Sequence, residues 1–127
     1  MKELTRAEEQ VMQILWKIKK GYVTEFLDYF PEPKPAYNTV STIIRILEKK
    51  GFIDHESSGK SYIYFPTISK TDYSRHSLRQ LVKGYFSDSY KQMVSFFSDD
   101  DQLTVGELED IKLLIDKQIK NKQNQDE

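Results

Sequence analysis

The chain has 127 residues, 38% of them hydrophobic and 13% aromatic, and a formal net charge of −1. That length suits one domain or two very small ones, and the near-neutral charge argues against a general polyanion binder. With no cysteine, disulfides, thiolate metal sites and a cysteine nucleophile are excluded.

The first residues are polar and the longest apolar runs are only a few residues. No signal peptide and no membrane insertion are expected, and the expected location is the cytoplasm. Residues 1–70 hold 11 Lys+Arg against 9 Asp+Glu, a net of +2, and residues 71–127 hold 8 against 11, a net of −3. The bias is small and leaves the N-terminal half the more basic of the two.

Thr5 and Glu8 form a capping-box pair at the start of the first helix, each side chain satisfying a free N–H of the first turn. Ala7, Val11, Met12, Leu15 and Ile18 then recur at helical spacing and are expected in the core, with Trp16 packing at the edge of the stripe. Lys19-Lys20-Gly21-Tyr22 closes this helix. A short second helix over residues 23–30 has Thr24 as its candidate N-cap. Pro31, Pro33 and Pro35 stop it, since proline has no N–H to give and restricts its predecessor.

The chain is organised around a third helix, predicted over residues 36–50. At about 100° per residue, Val40, Ile43, Ile44 and Leu47 cluster on one side and Asn38, Thr42, Arg45 and Lys49 on the other. The first set can be buried. The second is polar, free of carboxylates, and long enough to reach base edges or phosphates. Gly51 ends the helix by taking the left-handed conformation without steric penalty. Two strand-like runs, residues 52–56 and 61–66, flank Ser57-Ser58-Gly59-Lys60 and predict a hairpin. Three helices followed by a hairpin is the order of a winged helix-turn-helix domain, with Lys60 at the tip of the wing.

From Ser69 the pattern becomes helical throughout. Leu78, Leu81, Val82, Tyr85 and Phe86 share one stripe, and Tyr90, Met93, Val94 and Phe97 continue it after a break at Ser87-Asp88. Thr104 and Glu107 form a second capping box before Leu108, Ile111, Leu114, Ile115 and Ile119. These stripes exceed what a pair of helices can bury against each other, so pairing with a second copy as a C2 dimer is expected. Residues 121–127 hold no apolar side chain and are expected to be disordered. The predicted fold class is mainly α with a small β-hairpin. A winged helix-turn-helix domain over residues 1–68 is followed by a helical dimerisation domain over residues 69–120.

Leu4-Thr5-Arg6-Ala7-Glu8 with Val11-Met12 and Leu15-Trp16, Asn38-Thr39-Val40 with Thr42, Arg45-Ile46-Leu47 and Lys50-Gly51, and the run from Gly59 to Pro66 together carry a resemblance. The chain resembles the BlaI/MecI/CopY family of bacterial repressors, also called the penicillinase-repressor family. The resemblance is dense over residues 4–66 and thinner beyond. It implies a homodimeric transcriptional repressor that binds a palindromic double-stranded DNA operator. For the penicillinase branch it also implies a membrane sensor metalloprotease as partner, with repression relieved by cleavage in the dimerisation domain. By position the matching bond is Ser95-Phe96, where that branch has Asn-Phe. The cysteine motif that binds metal in the copper branch has no counterpart here.

Within that frame Thr42 is a candidate for a thymine methyl or a phosphate, and Arg45 for two hydrogen bonds to guanine O6 and N7. Asn38 and Thr39 either cap the helix or touch phosphate. Tyr37 either stacks on the sugar-phosphate backbone or packs inside. Lys49, Lys60, Tyr62 and Arg6 are further DNA-contact candidates. The candidate dimer contacts are Leu78, Leu81, Val82, Tyr85, Phe86, Met93, Phe97, Leu108, Ile111, Leu114 and Ile115. His55 and His76 lack Asp or Glu partners at metal-ligand spacing and read as surface histidines. The run Asp99-Asp100-Asp101 lacks the ligand alternation of a calcium loop and reads as a solvated turn. No metal or cofactor is expected. No enzymatic activity is expected either, in the absence of a nucleophile–base constellation or a phosphate-cradling glycine loop. The competing reading is a winged-helix protein-protein interaction module that does not bind DNA.

Overall fold

The computed structural model describes residues 1–126. They divide into two compact units, residues 1–78 and residues 79 onward.

The first unit opens with α1 (Arg6–Ile18). Its capping box forms as expected, with the Glu8 N–H donating to Thr5 Oγ1 at 3.2 Å and the Thr5 N–H to Glu8 Oε1 at 2.8 Å. Val11, Met12, Ile14 and Leu15 are buried. Ala7 is on the same side of the helix but in its first turn, at the rim beside Phe30 and Ile43, and stays exposed. Helix α2 (Val23–Leu27) is shorter than expected and starts one residue before Thr24. Glu25 reaches back to accept the Tyr22 N–H at 2.9 Å, so Tyr22 holds the cap position and Thr24 lies inside the first turn.

Helix α3 (Tyr37–Lys49) buries Val40, Ile44 and Leu47 completely and packs on α1 and α2. Gly51 ends it at φ 87°, as glycine allows, and the Phe52 N–H closes onto the Leu47 carbonyl at 2.9 Å. The turn delivers Phe52 and Ile53 straight into the core. Strands β1 (Ile53–Ser58) and β2 (Ser61–Pro66) pair antiparallel from Ile53 opposite Pro66 to Ser58 opposite Ser61. Gly59 (φ 63°) and Lys60 make the two-residue turn, Gly59 supplying the positive φ that lets such a tight turn follow the right-handed twist of the strands.

Three consecutive residues tie this wing to the body. Lys20 pairs with Glu56 at 2.8 Å. Gly21 exchanges both backbone hydrogen bonds with Tyr64, at 3.0 and 2.9 Å. The Tyr22 hydroxyl meets the Ser58 hydroxyl at 2.7 Å.

Helix α4 (Lys70–Tyr85) begins as part of the first unit. Tyr73 is buried with its ring 5.7 Å from both Trp16 and Phe52, and the Trp16 indole N–H donates to the Ile68 carbonyl at 2.8 Å. These contacts hold the start of α4 on the winged domain. The compact units therefore divide after Leu78 and not at residue 68, and Leu78 falls in the first unit.

The second unit holds the end of α4, then α5 (Tyr90–Ser98) and α6 (Val105–Gln125). Ser87 and Asp88 both take left-handed φ, which breaks the helix where the apolar stripe is interrupted. The Thr104–Glu107 capping box forms at the start of α6. Residues 121–125 are helical where disorder was expected. They lack apolar side chains, yet Lys and Gln are good helix formers and extend the ladder. Glu127 lies outside the described residues. Among the described residues, Val82 is the one buried apolar side chain of this unit, and no helix is long and apolar enough to cross a membrane.

Candidate nucleic-acid interface

The buried stripe of α3 fixes which side faces out. Asn38, Thr42, Arg45 and Lys49 are all exposed. Asn38 does not cap the helix. The cap position belongs to Ala36, which has no side-chain oxygen, so the first-turn N–H groups of α3 have no side-chain cap. An uncapped helix start of this kind favours an anion. Thr42 Oγ1 donates to the Asn38 carbonyl at 2.8 Å, which leaves its methyl group and oxygen lone pairs outward. Arg45 Nη2 donates to Ser41 Oγ at 3.1 Å. Ser41 is buried, so it anchors one edge of the guanidinium while the other donors stay free.

Between α2, α3 and the wing lies a cleft of about 400 Å³ lined by Tyr22, Tyr37, Ser41, Arg45, Lys60 and Tyr62, with Tyr64 at its base. It brings together four of the residues expected from sequence: Tyr37, Arg45, Lys60 and Tyr62. Tyr37 is 50% exposed and so does not pack inside. Tyr62 and Tyr64 share one face of β2, but Tyr62 is 51% exposed whereas Tyr64 is buried against Gly21. Burial pushes the Tyr64 phenol above its ordinary pKa and the Glu48 carboxylate pushes it further, against the Arg45 charge, so Tyr64 stays neutral. Thr39 lines a different groove, with Phe30 and three prolines, and Arg6 is exposed on α1 outside the cleft.

Sequence reasoning missed Tyr22, Ser41 and Tyr64. Ser41 lies four residues before Arg45, and that spacing on a helix was the available signal. Tyr22 and Tyr64 arrive through the fold alone. Lys50, next to the exposed Lys49, is held by Glu8 at 2.7 Å.

The reading of His55 as a surface histidine without acidic neighbours is also corrected. Its Nδ1 contacts the Glu48 carboxylate, and Glu48, Asp54 and His55 each bring one ligand-type atom within 4.8 Å of the others. The tight turn at Gly51 makes this juxtaposition, because it lays β1 beside the last turn of α3.

The sequence profile of the penicillinase repressor family matches residues 4–117. The methicillin resistance regulatory protein MecI of Staphylococcus aureus (strain N315) is 24% identical over 116 residues, covering 91% of this chain and 94% of that protein. The penicillinase repressor of Bacillus licheniformis is 24% identical over 115 residues, covering 90% of each. The solution structure of the DNA binding domain of the repressor BlaI covers 57% of this chain and 94% of its own, with 28% identity and a TM-score of 0.49. The profile match runs through both compact units, and this chain belongs to the penicillinase repressor family.

Proposed function

We propose that the protein is a homodimeric transcriptional repressor that binds a palindromic operator, with α3 in the major groove and the wing on the flanking backbone. The family is one of repressors, not of enzymes. The observation that carries the DNA reading is the cleft that gathers Arg45 and Tyr37 of α3 with Lys60 and Tyr62 of the wing. Phosphate contacts from Lys60 and the α3 start would supply affinity, and Arg45 and Thr42 would read base edges. Pairing through the second unit is supported by its surface, where Tyr85 is 81% and Phe96 72% exposed. Val82, expected at the dimer contact, is wholly enclosed within one chain and has no surface left to offer a partner.

The reading extends to a cytoplasmic location and to relief of repression by cleavage at Ser95-Phe96. Both residues are exposed, but the bond lies inside α5, so a protease that takes extended substrate needs α5 to open first.

The test is a gel-shift titration on duplexes selected from a random library by the full-length protein. The selected sites should be palindromic with half-sites about one helical turn apart. Arg45→Ala should weaken binding to them by roughly tenfold or more and relax preference at one position, each good base contact being worth about 1–3 kcal/mol. DNA binding that is absent at low salt would leave the protein-interaction module as the better reading.

A further inference from the structure

We infer that Glu48, Asp54 and His55 form a site for a borderline divalent cation of the zinc class, clamping the first strand of the wing to the end of α3. The donors come from two elements. Glu48 sits in the last turn of α3, and Asp54 and His55 open β1. One nitrogen and two carboxylate oxygens already lie within 4.8 Å of one another. Tetrahedral coordination at about 2.0–2.2 Å needs donors roughly 3.4 Å apart, which ordinary movement of two carboxyl groups supplies.

The imidazole is held in place. The Tyr62 ring lies over it with centroids 4.2 Å apart, and the Tyr64 ring meets it at 5.7 Å and 62°. Glu48 and His55 are both half-buried, and Asp54, which accepts the His55 backbone N–H at 2.8 Å, is open to solvent. The remaining coordination positions therefore face water.

Charge favours the same occupant. Among the described residues, no Lys or Arg pairs with Glu48 or Asp54, since Lys50 is committed to Glu8, Lys20 to Glu56 and Arg75 to Asp72. Arg45 is turned to Ser41. Two carboxylates against one imidazole leave the group negative in either protonation state of the ring. One nitrogen with two oxygens suits zinc, cobalt or iron(II) better than calcium, which takes six to eight oxygens.

The test is calorimetric titration of the full-length protein with zinc chloride, without DNA, so its outcome is separate from that of the operator experiment. The expected result is one equivalent bound per chain. Affinity should fall at least about tenfold in His55→Gln and in Asp54→Asn and stay unchanged in His76→Gln. Asp54 is exposed, so Asp54→Asn reports on the site even where His55→Gln loosens the wing. Cobalt titration should give a visible absorption band in the wild type that Asp54→Asn lacks. No binding, or equal binding by wild type and the His55 and Asp54 variants, overturns the inference.

Discussion

Glu8 spends one carboxyl on two tasks. It accepts the Thr5 N–H that starts α1, and it receives the Lys50 ammonium from just past the end of α3. Burial pushes its pKa up, but the Lys50 hydrogen bond, the Thr5 N–H and the Lys50 charge outweigh burial and leave it below the ordinary value of 4.5. A lowered folded pKa stabilises the fold at pH above the unfolded value, and the contribution disappears as pH falls through the lowered one. Lys50→Met should therefore cost about 2 kcal/mol near neutral pH, since it strands a buried carboxylate. It should also shrink the loss of stability as the pH falls below the ordinary value of 4.5. Urea denaturation across that range checks both, and equal acid sensitivity in the two proteins would contradict the account. At this scale the sequence was legible only over short spacings. Thr5 and Glu8 are three residues apart and announce themselves, whereas Lys50 meets Glu8 across 42 positions. Glu48 meets His55 only because of the Gly51 turn.

The elements were mostly legible because their signals are periodic. The two faces of α3 follow from its apolar spacing, and the hairpin from alternation around a glycine turn. The boundary after the wing was not legible, because nothing in the local pattern of Ile68 or Tyr73 says that Trp16 and Phe52 need them. A fragment ending at Pro66 loses the acceptor of the Trp16 indole and the Tyr73 ring. It should melt well below a fragment ending at Leu78, by about 10 °C if the loss is about 2 kcal/mol in a domain this small. Thermal melts of the two fragments followed by circular dichroism test this, and equal midpoints would put the start of α4 outside the winged domain. The cap of α2 was misplaced by two residues for a related reason. Thr24 is the better cap by residue type, but Glu25 is positioned to serve Tyr22.

At the scale of the whole molecule, the two units are unequally provided with core. The first encloses Phe26, Phe52, Met12, Leu15, Ile44 and Leu47 completely, and the second encloses Val82. A second unit this exposed is expected to gain most of its stability by pairing. Tyr85→Asp, at a position 81% exposed in the single chain, should shift the protein toward monomer in sedimentation equilibrium. Operator affinity should fall with it, and the dependence of binding on salt should approach half its slope, since one winged domain neutralises half as many phosphates. A variant that stays dimeric would place the pairing surface elsewhere. The apolar stripes of this half were legible from sequence, but which of their residues a single chain keeps for itself was not. The three ties from Lys20, Gly21 and Tyr22 to the wing bear on the entropy of recognition. The backbone of β1 and β2 is ordered when the domain folds, so a ligand arriving at the cleft has no hairpin left to freeze. What remains is chiefly the rotamer freedom of Lys60, about 1.5–2 kcal/mol. The wing thus meets a surface as a preset edge, and its geometry selects among surfaces instead of adapting to them.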